Sequence, residues 1–373
     1  MVIVGGGLAG GAAAAILARA GVRPLVLERE REPRDKICGE FLSAEAQSYL
    51  SALGLDLGSL GGAQIGAVRL IAGRRCAASP LPFTALGLTR RRLDEAVLSH
   101  AERSGARIER GVAVRSVAPG RVETGVGSLE APTILLASGK HDVRGARRDT
   151  SDTDQGMIGF KSYFRLSEAM RAALQGFVEV VLFDGGYAGL QLVENGVANL
   201  CLLVRRERFE AAGRTWPSLL ERLLAEPHLR ARLCGARELS ARPLTISDVP
   251  FGFVHRGAGD SPGLFRLGDQ AAVIASFSGD GMSIALHSAS LAARAVLEGA
   301  DAAAYHARLR GDVARPIRLA SWLQRRMETW PGRKSAVLGL SLLPRSLAHL
   351  AAWTRVPERA LRRAGGAGFV TTT

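Results

Sequence analysis

Gly5-x-Gly7-x-x-Gly10 is the first pattern in the chain with chemical meaning. Gly5 allows a tight turn out of a strand, Gly7 lets the backbone approach a pyrophosphate, and Gly10 lets a helix pack closely on that strand. With Leu8 and Ala9 they form a helix start whose free N–H groups and positive dipole end suit phosphates. Glu28 follows Gly7 by 21 positions, where an acid would hold ribose hydroxyls, and Arg29 comes next. A carboxylate there repels a 2′-phosphate, so the pattern suits FAD or NAD rather than NADP. The elements that must carry these residues are also legible. Val2-Ile3-Val4 and Pro24-Leu25-Val26-Leu27 predict short buried strands. The alanine-rich run from Ala12 to Ala20 predicts a helix, ended by Gly21. A lone GxGxxG is weak evidence, but strand, glycines, helix, strand and acid in register are specific.

Further segments extend the pattern. Lys36-Ile37-Cys38-Gly39-Glu40-Phe41-Leu42-Ser43 is close to a K-x-C-G-[GE]-x-L-S loop. Thr89-Arg90-Arg91-Arg92-Leu93-Asp94 fits an R-x-x-[LF]-D helix start. Arg266-Leu267-Gly268-Asp269-Gln270-Ala271-Ala272 precedes Ser278-Gly279-Asp280-Gly281-Met282, and Gly185-Gly186-Tyr187-Ala188-Gly189 lies upstream of both, after the Arg90 segment. In this order the motifs resemble the FAD-dependent group that includes geranylgeranyl reductases, hydroxylases of the p-hydroxybenzoate hydroxylase type, and flavin halogenases. The resemblance runs from residue 2 to about residue 297. It implies FAD contacts at Arg29, Lys36, Cys38, Gly39, Arg90, Val112, Ser138, Gly139, Gly268, Asp269, Gly279, Asp280, Gly281 and Met282, besides the glycine loop and Glu28.

The third motif also stands on its own physics. Gly268-Asp269 places a carboxylate just past an apolar strand. The turn at Gly279 opens a helix, at Met282, Leu286, Ala289, Ala293 and Val296, whose N-terminus would stabilise negative charge on a reduced flavin.

Departures from the group are informative. Its middle motif reads A-D-G-x-x-S-x-x-R, whereas this chain has Ala137-Ser138-Gly139-Lys140-His141-Asp142-Val143-Arg144. That puts direct NADPH use in doubt. The W-x-W-x-I-P motif of halogenases is absent, and Lys36 does not stand where a halogenase's lysine would. No second GxGxxG follows a strand, so NAD(P)H either visits transiently or donates through a separate reductase.

The expected fold class is α/β. A Rossmann-like FAD-binding domain of the glutathione reductase type carries an inserted antiparallel β-sheet substrate domain and a helical C-terminal tail. Residues 1–150 and 255–300 form the first unit, with 62–86 free to join the second. Residues 151–254 form the substrate domain, and 301–373 the helical region. Asp184-Gly185-Gly186 and Glu194-Asn195-Gly196 are hairpin signals between short β-rich runs. Trp216 to Leu233 predicts a helix, and Leu244 to His255 the return strand.

Flavin enzymes need few protein acids or bases. The candidates beside the flavin are Cys38, equally readable as a small buried residue, Tyr187, for which packing is the stronger reading, and Phe277, read as a substrate wall. His255 and His287 are expected to be satisfied structural histidines. The expected activity is FAD-dependent oxidation or reduction of a hydrophobic small molecule. Hydroxylation of an aromatic or polyketide-like ring comes first and carbon–carbon double-bond reduction or dehydrogenation second. Halogenation and RNA binding rank lower.

Composition bounds the rest. The chain has 373 residues, 47% of them hydrophobic, so disorder is excluded and more than one unit is expected. Four scattered cysteines and no CxxC argue against a disulfide framework or a metal site. The uncharged stretch from Met1 to Ala18 lacks the basic start of a signal peptide and holds five glycines. A cytoplasmic protein is expected, with peripheral contact to a membrane as the variant. The net charge is +14, with 45 arginines but only four lysines. Basic residues are not interleaved with aromatics, so no nucleic-acid partner is expected. Residues 301–373 hold 13 basic and 4 acidic residues, with Trp322, Trp330 and Trp353 and an apolar stretch at 335–344. This tail is either a helix with a solvated basic face or a dock for a carrier protein or an anionic membrane.

Overall fold

The computed structural model describes residues 1–153, 156–257, 259–342 and 353–365. The chain opens with β1 (Val2–Val4), α1 (Leu8–Arg19) and β2 (Leu25–Glu28). β3 (Phe41–Leu42), α2 (Ala44–Ala52), β4 (Ala63–Ala72), β5 (Arg75–Gly87), α3 (Arg90–Arg103) and β6 (Arg107–Arg110) follow. β7 (Val114–Ala118), β8 (Arg121–Thr124) and β9 (Ser128–Glu130) form a small antiparallel sheet before β10 (Ile134–Leu136). The middle of the chain holds β11 (Met157–Arg165), α4 (Glu168–Leu174), β12 (Gly176–Phe183), β13 (Gly186–Leu192) and β14 (Ala198–Arg205). Then come α5 (Arg206–Ala211), α6 (Trp216–Leu223), α7 (Pro227–Leu233), β15 (Arg237–Glu238) and β16 (Leu244–Ser247). The last elements are β17 (Leu264–Arg266), α8 (Gly281–Leu297), α9 (Ala302–Met327), α10 (Trp330–Leu342) and α11 (Glu358–Arg363).

Two large sheets organise the molecule. The first is wholly parallel, in the order β17-β10-β1-β2-β6. Its central strands are buried apolar runs, as a sheet covered on both faces requires. α1 lies against it between α3 and α8, and its alanines are almost fully buried. Small side chains let the helix come this close. A Cβ on Gly10 would stand 1.9 Å from the Gly5 carbonyl oxygen, so no other residue fits there without a backbone shift.

The second sheet has nine strands, β15-β11-β14-β13-β12-β4-β5-β3, with β16 also on β11. It is antiparallel except where β12 meets β4 in parallel. Thus β3, β4 and β5, from the N-terminal third of the chain, share a sheet with residues 157–247. Two expectations need correction. The return strand stops at Ser247, because Asp248 takes a left-handed φ of 57° and Pro250 follows. The helix expected over 216–233 is two helices, since Pro227 starts a new one at its first position. The tail is helical where described. Residues 154–155, 343–352 and 366–373, parts of the expected crossover and tail, lie outside the described residues. No described helix is long and apolar enough to cross a membrane.

One buried charge cluster ties helices to the second sheet. Glu179 of β12 is fully buried and accepts hydrogen bonds from Arg69 of β4 (2.8 Å) and from Arg232 (2.7 Å) and His228 (2.8 Å) of α7. Burial alone would raise its carboxyl, but the bonds from His228, Arg232 and Arg69 outweigh that and hold it at about 2. The folded value lies below the ordinary 4.5, so its contribution to stability is complete above pH 4.5 and is lost as the pH falls through about 2. Glu179→Ala removes the buried carboxylate shared by the half-buried Arg69, Arg232 and His228 and should cost about 3 kcal/mol. Urea unfolding at neutral pH measures this, and a loss below about 1 kcal/mol would show that the cluster is not buried as described.

Candidate functional site

A single cavity of about 1790 Å³ runs between the two sheets. Ligand pockets usually measure ~300–1,000 Å³, so this one has room for a dinucleotide and a second molecule. Its lining starts at Glu28 and Arg29, follows the start of α1 at Gly5, Gly7, Leu8 and Ala9, and includes Lys36, Cys38, Gly39, Arg90 and Val112. It continues past Ser138, Gly139, Gly268 and Asp269 to Gly279, Gly281 and Met282 at the start of α8, and to Tyr187 and Phe277. Residues far apart in sequence thus meet on one surface.

Two of the expected contacts do not reach it. Gly10 lies beneath the cavity, where it packs on Gly5. Asp280 turns inward and is fully buried, 4.0 Å from Arg355 Nε, because Gly279 in the left-handed region (φ 74°) redirects the chain. Burial pushes the Asp280 carboxyl well above the usual carboxylate range.

The phosphate end is built by charge and by missing side chains. Gly7 begins α1 in an extended conformation, and no side chain caps the helix. A Cβ on Gly7 would lie 3.2 Å from Lys36 Nζ and 3.9 Å from Arg90 Nη2, so both cations face the spot that the glycine leaves open. Asp94 aims them: Arg90 grips it with two bonds (2.7 and 2.9 Å), and Lys36 Nζ donates to it at 2.7 Å. Burial would raise the Asp94 carboxyl, but Arg90 and Lys36 hold it below its ordinary value. Two cations against one carboxylate leave net positive charge at an uncapped helix N-terminus, which suits a pyrophosphate. Nearby, Glu28 accepts the Gly6 N–H at 2.7 Å and the Glu30 N–H at 2.9 Å, so its carboxylate is fixed at the end of β2.

The middle of the cavity is framed by the Ser138–Asp142 turn. Gln270 donates to the carbonyls of Gly139 (2.8 Å) and His141 (3.0 Å). Arg148 donates to Asp142, to the Lys140 carbonyl and to the Asp269 carbonyl. Lys140, not anticipated from sequence, lines the cavity with its Nζ 3.6 Å from Asp269 and donates to the Ile37 carbonyl at 3.2 Å. At Gly39, Gly139 and Gly281 an added Cβ would meet nothing within 4 Å. These three glycines leave space open along the cavity wall. No side chain caps α8, so its first N–H groups point free at Gly281.

The loop carrying Lys36 and Cys38 is sewn to the nine-stranded sheet by residues that sequence reasoning missed. Glu40 and Lys161 pair at 2.5 Å with both side chains fully buried. Tyr163 donates to Glu40 at 2.9 Å, the Arg90 N–H donates to it at 2.8 Å, and Lys161 donates to the Lys36 carbonyl at 3.0 Å. Asn199 donates to the Gly39 carbonyl at 2.9 Å, and Gln191 to the Glu40 carbonyl at 2.9 Å. The available signal was a single lysine inside the apolar run Met157–Phe164.

Beyond this loop the cavity wall is largely apolar: Val68, Leu70, Val178, Val180, Leu203, Ile246, Val249 and Phe251. Tyr187 and Phe277 meet edge to face at 6.2 Å. Burial raises the Tyr187 phenol and pushes the Cys201 thiol up to about 12, so both stay protonated at neutral pH. The two histidines are engaged elsewhere. His287 is buried between Tyr49 (2.6 Å) and Asp312 (3.1 Å). His255 lies 2.8 Å from Asp260 and near His306, a grouping of metal-ligand type. Arg266 occupies both Asp260 oxygens at 2.7 Å, and the His306 Nε2 accepts the Arg266 N–H, so this cluster is explained as an ion-pair network.

Comparison with known proteins agrees with this geometry. Residues 1–124 match the family model described as an FAD binding domain. A menaquinone reductase of Mycolicibacterium smegmatis is 26% identical over 321 residues, covering 80% of this chain and 76% of that protein. Among solved structures, the flavin-dependent brominase Bmp2 superposes with a TM-score of 0.75 at 16% identity, covering 97% of this chain and 96% of that one. P. aeruginosa PqsL in complex with 2-aminobenzoylacetate superposes with a TM-score of 0.68 at 18% identity, covering 91% and 98%. Residues 1–124 are therefore an FAD-binding domain, the chain is an FAD-dependent oxidoreductase, and its fold resembles that of the flavin-dependent brominase Bmp2.

Proposed function

We propose that the chain is a monooxygenase that hydroxylates an aromatic or polyketide-like hydrophobic molecule. The observation that carries this reading is the continuity of the FAD cradle with a chamber walled by apolar side chains. Such a chamber suits an apolar molecule, and its sheet residues Tyr187 and Cys201 stay protonated at neutral pH. FAD, when bound, supplies the electron-transfer and oxygen chemistry, and the protein binds, orients and shields. The balance is substrate–H + O₂ + NAD(P)H + H⁺ giving substrate–OH + NAD(P)⁺ + H₂O. The nicotinamide donates directly or through a separate reductase.

The residues have distinct tasks in this reading. Lys36, Arg90 and the start of α1 would hold the pyrophosphate, and Glu28 would hold the ribose. Asp269, with Lys140 beside it, would hold the ribityl hydroxyls. The start of α8 would stabilise negative charge on the reduced ring. Phe277 and Tyr187 wall the substrate.

A second reading, reduction of a carbon–carbon double bond, is favoured by two observations. The menaquinone reductase is a relative, and Cys38 lines the cavity in the K-x-C-G-E loop. Its balance is C=C + NAD(P)H + H⁺ giving CH–CH + NAD(P)⁺, with no oxygen. Halogenation ranks below both, because the tryptophan motif is absent and Lys36 is held in an ion pair by Asp94.

Two experiments test these assignments. Arg90→Gln should weaken FAD binding about tenfold or more, since it removes a charge-assisted contact worth roughly 1.5–3 kcal/mol. Flavin fluorescence titration measures this, and an unchanged affinity would put the pyrophosphate elsewhere. Turnover of a panel of lipophilic phenols under ¹⁸O₂ should give a product carrying one ¹⁸O atom and no turnover without oxygen. Anaerobic turnover that adds two hydrogens to the substrate would replace the first reading with the second.

A further inference from the structure

The basic excess of the tail has a specific arrangement on α9. Arg308, Arg315, Arg318, Trp322 and Arg325 are all exposed. Their spacings of seven, three, four and three residues place them on one face of the helix. The opposite face is buried: Leu309, Val313, Ile317 and Ala320 pack into the core of the FAD-binding unit. At 1.5 Å per residue the cationic stripe is roughly 25 Å long. No carboxylate pairs with Arg308, Arg315, Arg318 or Arg325 among the described residues.

The stripe leads to the cavity. Trp322 is 48% exposed and also lines the cavity, with the Arg326 guanidinium 5.4 Å over its ring. On α10, Gly339 and Leu340 line the same cavity, while Leu338 and Leu342, one helical turn apart, are 50% and 70% exposed. Two large apolar side chains thus stand exposed on the same helix whose Gly339 and Leu340 line the cavity.

We propose that this face of α9 and α10 is a docking surface for an anionic membrane, which holds the tail end of the cavity against the lipid. The arginines match anionic headgroups, each adding to attraction near the surface. Tryptophan favours the membrane interface, and Leu338 and Leu342 supply apolar contact with the acyl boundary. An acidic protein would match the charge but gives no reason for leucines to project at the opening. A molecule dissolved in the bilayer would then reach the apolar chamber without crossing water. The surface does not depend on which flavin reaction the chain performs.

Vesicle co-flotation of the FAD-loaded full chain tests the proposal. Binding is expected with vesicles containing about one-third phosphatidylglycerol, not with pure phosphatidylcholine, and should fall as salt rises. Combined Arg308→Gln, Arg315→Gln, Arg318→Gln and Arg325→Gln should reduce it about tenfold or more while FAD content and the melting temperature stay unchanged. Trp322→Ala should weaken it less, and with less dependence on salt. Equal flotation of the quadruple variant would overturn the proposal. So would failure to bind anionic vesicles at low salt, whether or not an acidic acyl carrier protein or RNA binds instead.

Discussion

The contact on which most of the site depends is the buried pair between Glu40 and Lys161. A lysine ammonium and a carboxylate removed from water each lose several kcal/mol of hydration. Their attraction offsets that only with good geometry and further hydrogen bonds, and this pair has both. Tyr163, the Arg90 N–H and the Lys36 carbonyl complete the set. A hydrophobic pair could give equal stability. This network is directional, since Lys161 and Tyr163 of β11 donate to Glu40 and the Lys36 carbonyl on the facing loop. The pair joins the Lys36–Leu42 loop, which belongs to the cofactor side, to β11 of the other sheet. The position of Lys36 at the phosphate end, of Cys38 in the cavity wall and of α3 all follow from it.

The rest of the cradle is shaped by what is missing. Gly10 brings α1 against β1, and Gly7 opens the spot that Lys36 and Arg90 face. Asp94 neutralises part of that charge, so the two cations can sit together without a ligand. The combination is a fixed frame with residual positive potential, the arrangement that binds an anion with little reorganisation. At the far end, α8 contributes its dipole without a capping side chain. Asp280, the residue placed to cap it, is buried toward Arg355 instead. The tail therefore takes part in the site, because Arg355 also grips Glu45 of α2 at 3.0 Å and lies 4.0 Å over the Phe83 ring.

What the sequence revealed, and what it hid, follows from the range of the interactions. The β1–α1–β2 unit was legible because each part carries a local signal: β-branched run, glycines, alanines, acid. Asp269 and the start of α8 were legible for the same reason. The parallel contact of β4 with β12 was not, since no turn joins those strands and the paired residues Leu182 and Ala72 are 110 positions apart. Lys161 was hidden in a run that otherwise read as plain strand, and its meaning depends on a partner more than a hundred residues away. The direction of the Asp280 side chain was hidden for a third reason: one left-handed glycine, Gly279, decides which way it turns.

The tail shows how a compositional oddity becomes a structural argument. A net charge of +14 has no direction, and codon bias accounts for it as well as function does. Direction appears only once α9 is a helix with a buried face, since the packing of Leu309, Val313 and Ile317 leaves Arg308, Arg315, Arg318 and Arg325 a single side to occupy. Solubility alone would be served by arginines spread around the exposed arc and paired with glutamates at helical spacing, as Arg362 is with Glu358 on α11. Here the stripe has no such partner among the described residues and carries a tryptophan that also lines the cavity. The same helix that packs on the FAD-binding core thus carries, along one exposed stripe, four arginines and a tryptophan that lines the cavity. That coupling of packing, charge and access is what a lipid-borne substrate would require of the fold.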